Sequence, residues 1–493
     1  MGMSARRLRL SGVGTGDLRI AVGGSFATAL LAALAVHKAG LVGLLAPLVV
    51  AILLLLLRRP VVAVVMVIFL AALCEGPSFG FLNFTAKIVY LEIYKGLTAL
   101  DVLMLLAVVV VALQAIRHGR PMRIPRPMLP GFVFLLLGML VGAILGHGAG
   151  LGLRQLVLLE VVLFFFLLLP IAVANLEIDR HGLSLLLGGA MAFAIFKAVV
   201  GLIEVAGHYG EPIEGTATLT YYEPAANWLI MLALLTLFAA IVSRAKPPLW
   251  MLAGGPLLIA SLVLSYRRSF WIATVLGLLL VLLLGLSPLG RRLLVPSALI
   301  IALAVWLLGS VHFQAQLPVV KRFESLSPSK LTTNVEDRYR LDERANVLGE
   351  IRAHPITGLG LGIPWQATVQ PLSVEHEGGR EYVHFAALWY WLKLGILGLV
   401  AYIAILLGTA VLSWRVWRRS SEPMLRAFGL ASLCSVAGLA AIETTASFTG
   451  IDPRFTILFS AQIGFLALLD RTSRKQIASP YGLVESSDST VVV

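Results

Sequence analysis

Charged residues are scarce in this sequence. Only 13% of its 493 residues are Asp, Glu, Lys or Arg, about half the share of an ordinary soluble chain. That excludes a soluble multidomain enzyme and a disordered scaffold. Acidic residues are the scarcest, 26 against 39 Lys and Arg, leaving a formal charge of +13. A basic balance can signal nucleic acid. Here the cations sit in the junctions between apolar runs, so no nucleic-acid partner is expected. Cysteine occurs twice, as Cys74 and Cys434, both inside apolar runs, which excludes a disulfide framework. The glycine run Gly358-Leu359-Gly360-Leu361-Gly362 lacks the Lys-Ser/Thr of a phosphate loop and follows no strand, so nucleotide binding is not expected. No metal-ligand cluster or internal repeat is visible, and neither a metal nor another cofactor is expected.

Apolar length is what the sequence has in abundance. Hydrophobic residues make up 59% of it. Runs of about 18 to 24 residues recur, each able to cross a hydrocarbon core of about 30 Å. The expected fold is an all-α polytopic membrane protein of about 12 to 14 transmembrane helices with one long outward loop. Candidate spans cover 19–37, 41–57, 61–75, 98–116, 128–147, 152–174, 183–207, 223–243, 248–266, 269–288, 293–311, 384–412, 425–444 and 452–469.

Charge orients these spans. Arg6, Arg7 and Arg9 precede the first run and hold the N-terminus in the cytoplasm. A cleaved signal, suggested by Ala32, Ala33 and Ala35, is the lesser reading because the hydrophobic pattern simply continues. Every second junction is basic: Arg58 and Arg59; Arg117, Arg120, Arg123 and Arg126; Arg244 and Lys246; Arg291 and Arg292; Arg415, Arg418 and Arg419; and Arg471, Arg474 and Lys475. Retention of basic loops by the inner leaflet makes these junctions, and both termini, cytoplasmic. The expected organisation is a transmembrane bundle over 1–311, an outward loop subdomain over 312–383, C-terminal transmembrane helices over 384–470 and a disordered cytoplasmic tail over 471–493.

Ionisable residues inside a bilayer are costly and point to function. Asp101, Arg154, Glu160, Lys197, Glu204, Lys393 and Glu443 fall within or at the edges of spans, all in the outward halves. Taken singly, each could snorkel to the interface. Taken together they describe a cavity open to the outside only, with Arg154 and Glu204 as candidate substrate contacts. A transporter would instead need polar groups near the midplane and a path to both sides.

Three motifs share that outward face. Ser265-Tyr266-Arg267-Arg268-Ser269 joins two spans, and Arg268 stands where the second helix begins. A guanidinium beside free helical N–H groups binds phosphate well, although a headgroup anchor would look the same. Residues Glu336 to Arg352 read as a helix ended before Pro355, with Arg340 and Arg344 four apart on one face. The alternative there is a solvated ladder of Glu336 with Arg340 and Arg338 with Asp342. His384 then stands at the start of a long apolar helix, able to take a proton from a hydroxyl or simply to sit at the interface.

In order and local sequence these motifs resemble the core of the O-antigen ligase and polymerase family of bacterial envelope glycosyltransferases. The likeness is carried by Arg268-Ser269, by Arg340 followed by His354-Pro355 and Gly358 to Gly360, and by His384 followed by Leu394 to Gly398. It is densest over 260–400. Two departures stand out: Phe385 replaces an asparagine, and Arg344 replaces an aromatic. The resemblance implies a metal-independent, inverting transfer at the outer face of the bacterial inner membrane. The donor would be a glycan on a polyprenyl diphosphate, and the acceptor a sugar hydroxyl on a lipid core or another glycan. Arg268, Arg340 and His384 would be catalytic, with Arg267 and Arg344 as further substrate contacts. A transporter or flippase for a lipid-linked or small anionic substrate, and a non-catalytic scaffold, are the competing classes.

Overall fold

The computed structural model describes residues 59–74, 91–94, 97–207, 211–212, 219–220, 223–286, 335–372 and 379–478. The expected spans 19–37, 41–57 and 293–311 lie outside the described residues. The chain divides into two compact units, 1–63 and 64–493.

The described chain is all-α apart from two short hairpins. Its helices are α1 (Pro60–Leu73), α2 (Ala99–Arg117), α3 (Leu129–Gly148), α4 (Leu153–Ala174), α5 (Arg180–Ala206), α6 (Pro224–Val242), α7 (Leu249–Leu264), α8 (Arg268–Gly285), α9 (Val335–Ala353), α10 (Ala386–Arg419), α11 (Pro423–Ile442) and α12 (Pro453–Ala478). Strands β1 (Glu92–Tyr94) and β2 (Leu97–Thr98) form one antiparallel hairpin, β3 (Glu211–Pro212) and β4 (Leu219–Thr220) the other. Among the described residues nine helices are long and apolar enough to cross a membrane, and α1 and α7 are shorter apolar helices. Only α9 is polar, and it lies in the long loop.

Helix starts follow local chemistry. Prolines open α6 and α11, where a missing N–H leaves no bond unmade. The carboxylates of Asp179 and Glu422 accept from Gly182 N and Leu425 N, capping α5 and α11. Asp101, expected as a functional charge in a span, does the same for α2. Its Oδ2 accepts from Thr98 N at 2.7 Å and Thr98 Oγ1 at 2.8 Å, a capping box.

The surface is apolar where a soluble protein's would be polar. Ile116, Ile144, Leu153, Leu249 and Leu407 are each between 62% and 82% exposed, as lipid-facing side chains are. Small polar residues turn inward instead. Thr236, Thr409 and Ser413 each donate to the carbonyl four residues back, so their hydroxyls are satisfied inside the bundle. Helices also approach closely along small residues. Gly138, Gly142 and Gly146, spaced four apart, form a stripe on α3 against α10 and the loop before it. An added Cβ at Gly142 would meet Lys393 O at 2.8 Å, and one at Gly146 would meet Leu361 O at 2.6 Å.

The C-terminal helices do not stand apart from the earlier ones. α10 packs on α3, α12 on α4, and α11 on α6 and α8, so within the unit 64–493 these helices from before and after the long loop pack together. α12 also runs on to Ala478, into the stretch expected as a disordered tail. Charges collect at the two ends. One end holds Arg120 beside Glu177, Arg471 on Leu176 O, and Arg419 and Arg474 on Asp470. The other holds Arg268, α9, His384 and the pairing of Arg454 with Glu223.

Candidate active site

The site grows from the tight junction between α7 and α8. Ser265 Oγ donates to Leu262 O at 2.7 Å, Trp271 Nε1 donates to the same carbonyl at 2.7 Å, and Tyr266 adopts a φ of 51° between them. Tyr266 and Trp271 pack with Leu264. This clamp sets Arg267 at the N-cap of α8 and Arg268 at its first residue.

Arg268 reaches α9. Its Nη2 donates to both oxygens of Asp337, at 2.9 and 3.0 Å, with about a tenth of each side chain exposed. Arg340, one turn along the same helix, approaches Asp337 Oδ1 at 3.5 Å. Two guanidinium groups therefore converge on one carboxylate. The partner of Arg340 is thus one turn back, and the tie to Arg268 spans 69 residues of sequence.

His384 hangs from the same helix about 9 Å further along its axis, the rise of six residues. Its backbone N donates to Glu343 Oε2 at 3.0 Å, and Nδ1 lies 3.0 Å from Oε2 and 3.2 Å from Oε1. Glu343 is fully buried. Tyr339 and Tyr382 meet the imidazole edge-on, with ring centroids at 5.8 and 4.9 Å. Tyr382 is itself held through its hydroxyl, which donates to Ser447 O and accepts from Ser447 N.

The two departures from the family pattern meet in space. The Arg344 guanidinium stands 6.0 Å from the centroid of the Phe385 ring, a cation–π arrangement that parks a cation beside His384. Arg154 and Glu204 lie on other elements: Arg154 is exposed at the start of α4, and Glu204 is buried near the end of α5. Lys197 is buried two turns before Glu204 on α5.

The glycine-bearing segment after α9 has a structural task. α10 is broken at Gly395, whose φ of 68° and ψ of −165° are not helical. A break frees backbone groups that must be satisfied inside the bundle. Leu359 N donates to Leu392 O at 2.7 Å, and Ile396 N donates to Ile356 O at 2.9 Å, so residues 356–361 close the gap. Leu361 N donates to Gly142 O at 3.0 Å, tying the same segment to α3. Gly358, Gly360 and Gly362, all at positive φ, let the segment turn this closely against α3 and α10. Lys393 serves it too, donating to Ile363 O.

Glu443, another charge expected to be functional, anchors the loop before α12. It accepts from Tyr402 Oη at 2.7 Å and Thr449 N at 2.8 Å, and its carbonyl accepts from Ala386 N at 3.1 Å, two residues past His384. Among the described residues no group of three or more His, Cys, Asp or Glu is arranged to hold a metal ion. Asp337 and Glu343 are the residues that sequence reasoning missed. Both lie in the acidic and basic stretch singled out there, but the ladder considered was local to the helix, and their partners are not.

Residues 253–403 match the model of the O-antigen ligase family. That window contains Arg267, Arg268, all of α9, the segment that closes the break and His384. No curated protein matches the chain.

Proposed function

We propose that this multi-pass membrane protein, which matches the O-antigen ligase family over residues 253–403, is a glycosyltransferase that moves a glycan from a polyprenyl diphosphate to an acceptor sugar hydroxyl. The observation that carries this reading is the convergence of Arg268 and Arg340 on Asp337, beside a histidine held by the same helix. A carboxylate sits where a paired cation site would take an anion. A diphosphate offers the same forked acceptor with more charge, and so can replace Asp337 on the two guanidinium groups.

In the step proposed, the acceptor hydroxyl gives its proton to His384 as its oxygen attacks the anomeric carbon. The bond from that carbon to the phosphate oxygen breaks, and its electron pair leaves with the lipid diphosphate. A single displacement of this kind inverts the anomeric centre. Arg268 and Arg340 meet the negative charge that develops on the leaving group, and fixed donors aimed at developing charge stabilise a transition state more than any other device open to such a site. Arg267 and Arg344 extend the cationic surface for the donor or an anionic acceptor, and Arg154 and Glu204 would meet only a substrate large enough to reach the ends of α4 and α5. The carrier brings the activation, so metal and nucleotide are not part of the proposal.

We place the site on the outer face of the cytoplasmic membrane, with both termini inside. The support is the alternation of basic junctions, whose arginines gather at the end of the bundle opposite Arg268. A transport reading would draw on the broken helix α10, yet the groups freed at that break are already bonded to residues 356–361. Purified protein incubated with an undecaprenyl-diphosphate oligosaccharide, with and without a lipid acceptor, tests the reading. A ladder of longer glycans identifies a polymerase and a single shifted acceptor band a ligase. Absence of both refutes glycosyl transfer.

A further inference from the structure

Glu343 is a fully buried acid with no part in the step just described. It has two bonds to one residue: the backbone N–H of His384 at 3.0 Å, and the ring Nδ1 at 3.0 and 3.2 Å. A carboxylate offers only acceptors, so the ring nitrogen facing it carries a proton. The neutral imidazole then has its lone pair on Nε2. The edge-on rings of Tyr339 and Tyr382 restrict rotation of the imidazole about its bonds, so the two nitrogens do not exchange places.

Resting on the glycosyl-transfer reading, we infer that Glu343 is a positioning residue for the reaction: it holds His384 as the Nδ1–H tautomer, so that Nε2 accepts the proton of the attacking hydroxyl. When that proton arrives, the imidazolium is balanced by the Glu343 carboxylate, as an acid behind a histidine does in hydrolytic triads. The proton leaves Nε2 for water after the lipid diphosphate has departed, and no other reactant is needed. A purely structural acid would need only the backbone bond, which already ties α9 to the chain entering α10. The second bond, to the ring, serves the imidazole.

Glu343→Gln separates the two roles. Its amide has one acceptor oxygen. If that oxygen serves His384 N–H, the NH₂ group faces Nδ1 and forces the proton to Nε2, the wrong tautomer. The experiment uses full-length protein in nanodiscs with histidine labelled by ¹⁵N. Long-range proton–nitrogen spectra at alkaline pH are assigned by comparison with His384→Gln. The expected result is Nδ1–H for His384 in the wild type and Nε2–H in Glu343→Gln. With an undecaprenyl-diphosphate oligosaccharide as donor, kcat should fall about 100-fold or more while the donor KM stays within about threefold, in line with loss of a general base. Glu343→Asp keeps a carboxylate and should retain the Nδ1–H signal with partial kcat, which keeps the test open if the glutamine variant does not fold. Nε2–H in the wild type, or unchanged kcat in Glu343→Gln, overturns the inference. The expected tautomer switch between wild type and Glu343→Gln, together with a wild type that transfers no glycan, refutes the glycosyl-transfer reading instead, and with it the catalytic use of the pair.

Discussion

Replacing Arg268 by Ala addresses the centre of the proposed chemistry. Its Nη2 makes two contacts with Asp337, at 2.9 and 3.0 Å, a fork that a pair of phosphate oxygens can take over. Hydrogen bonds to charged groups contribute about 1.5–3 kcal/mol each. Removal of one donor aimed at developing charge raises a barrier by about 2.7–4 kcal/mol. With about 1.4 kcal/mol per factor of ten, Arg268→Ala should lower kcat/KM by about 10²–10³. Arg268→Lys keeps the charge and loses the planar fork, so a loss on the order of tenfold is expected, the low end of one charged hydrogen bond. Asp337→Asn supplies the control, because it weakens the same ion pair from the other side while leaving both guanidinium groups in place. The assay is transfer from an undecaprenyl-diphosphate oligosaccharide in proteoliposomes, with thermal unfolding checked for each variant. If Asp337→Asn loses as much kcat/KM as Arg268→Ala, the pair is structural and the diphosphate clamp is wrong. Full activity in Arg268→Ala would refute it as directly.

Three further outcomes are expected. Gly395→Ala would place a Cβ 2.3 Å from Ile356 O at a φ of +68°. It should cost about 1 kcal/mol in backbone strain and about 1 kcal/mol for each of the two hydrogen bonds closing the break, so an unchanged unfolding midpoint in detergent would contradict the account of α10. Arg454→Ala removes the bidentate partner of the buried Glu223, contacts of 2.8 and 3.0 Å, and should destabilise the protein by about 3 kcal/mol, read as a lower unfolding midpoint. For orientation, Leu341→Cys at an exposed position of α9 should react with a membrane-impermeant maleimide in intact spheroplasts. Arg120→Cys should react only after permeabilisation, and the reverse pattern would put the site on the wrong face.

The helices were largely legible along the chain. The segments expected at 98–116, 152–174 and 223–243 appear as Ala99–Arg117, Leu153–Ala174 and Pro224–Val242, because transfer of a run into lipid depends on the run itself. The polar helix before Pro355 was legible for a similar reason: a proline and charges spaced four apart are local signals. Charges within spans were read less well. Asp101 closes its own capping box, Lys393 holds a carbonyl of the closing segment, and Glu443 anchors a loop. Each satisfies backbone groups that only the folded chain brings near it. Arg154 and Glu204 stand on α4 and α5, and neither is among the residues that pair with Asp337 or Glu343.

The amino-acid order alone therefore determined that this chain is a bundle of membrane helices, where most of the described helices run, and that Arg268, Arg340 and His384 are worth attention. Hydrophobic transfer is additive along a segment, so a one-dimensional reading captures it. What the sequence could not determine is which acid stands behind which base. Asp337 finds Arg268 across 69 residues and Glu343 finds His384 across 41, and a partner at that separation is selected by packing. Hydrogen bonds form only when donor and acceptor come within about 3 Å, so only the tertiary arrangement of α8, α9 and the start of α10 decides them.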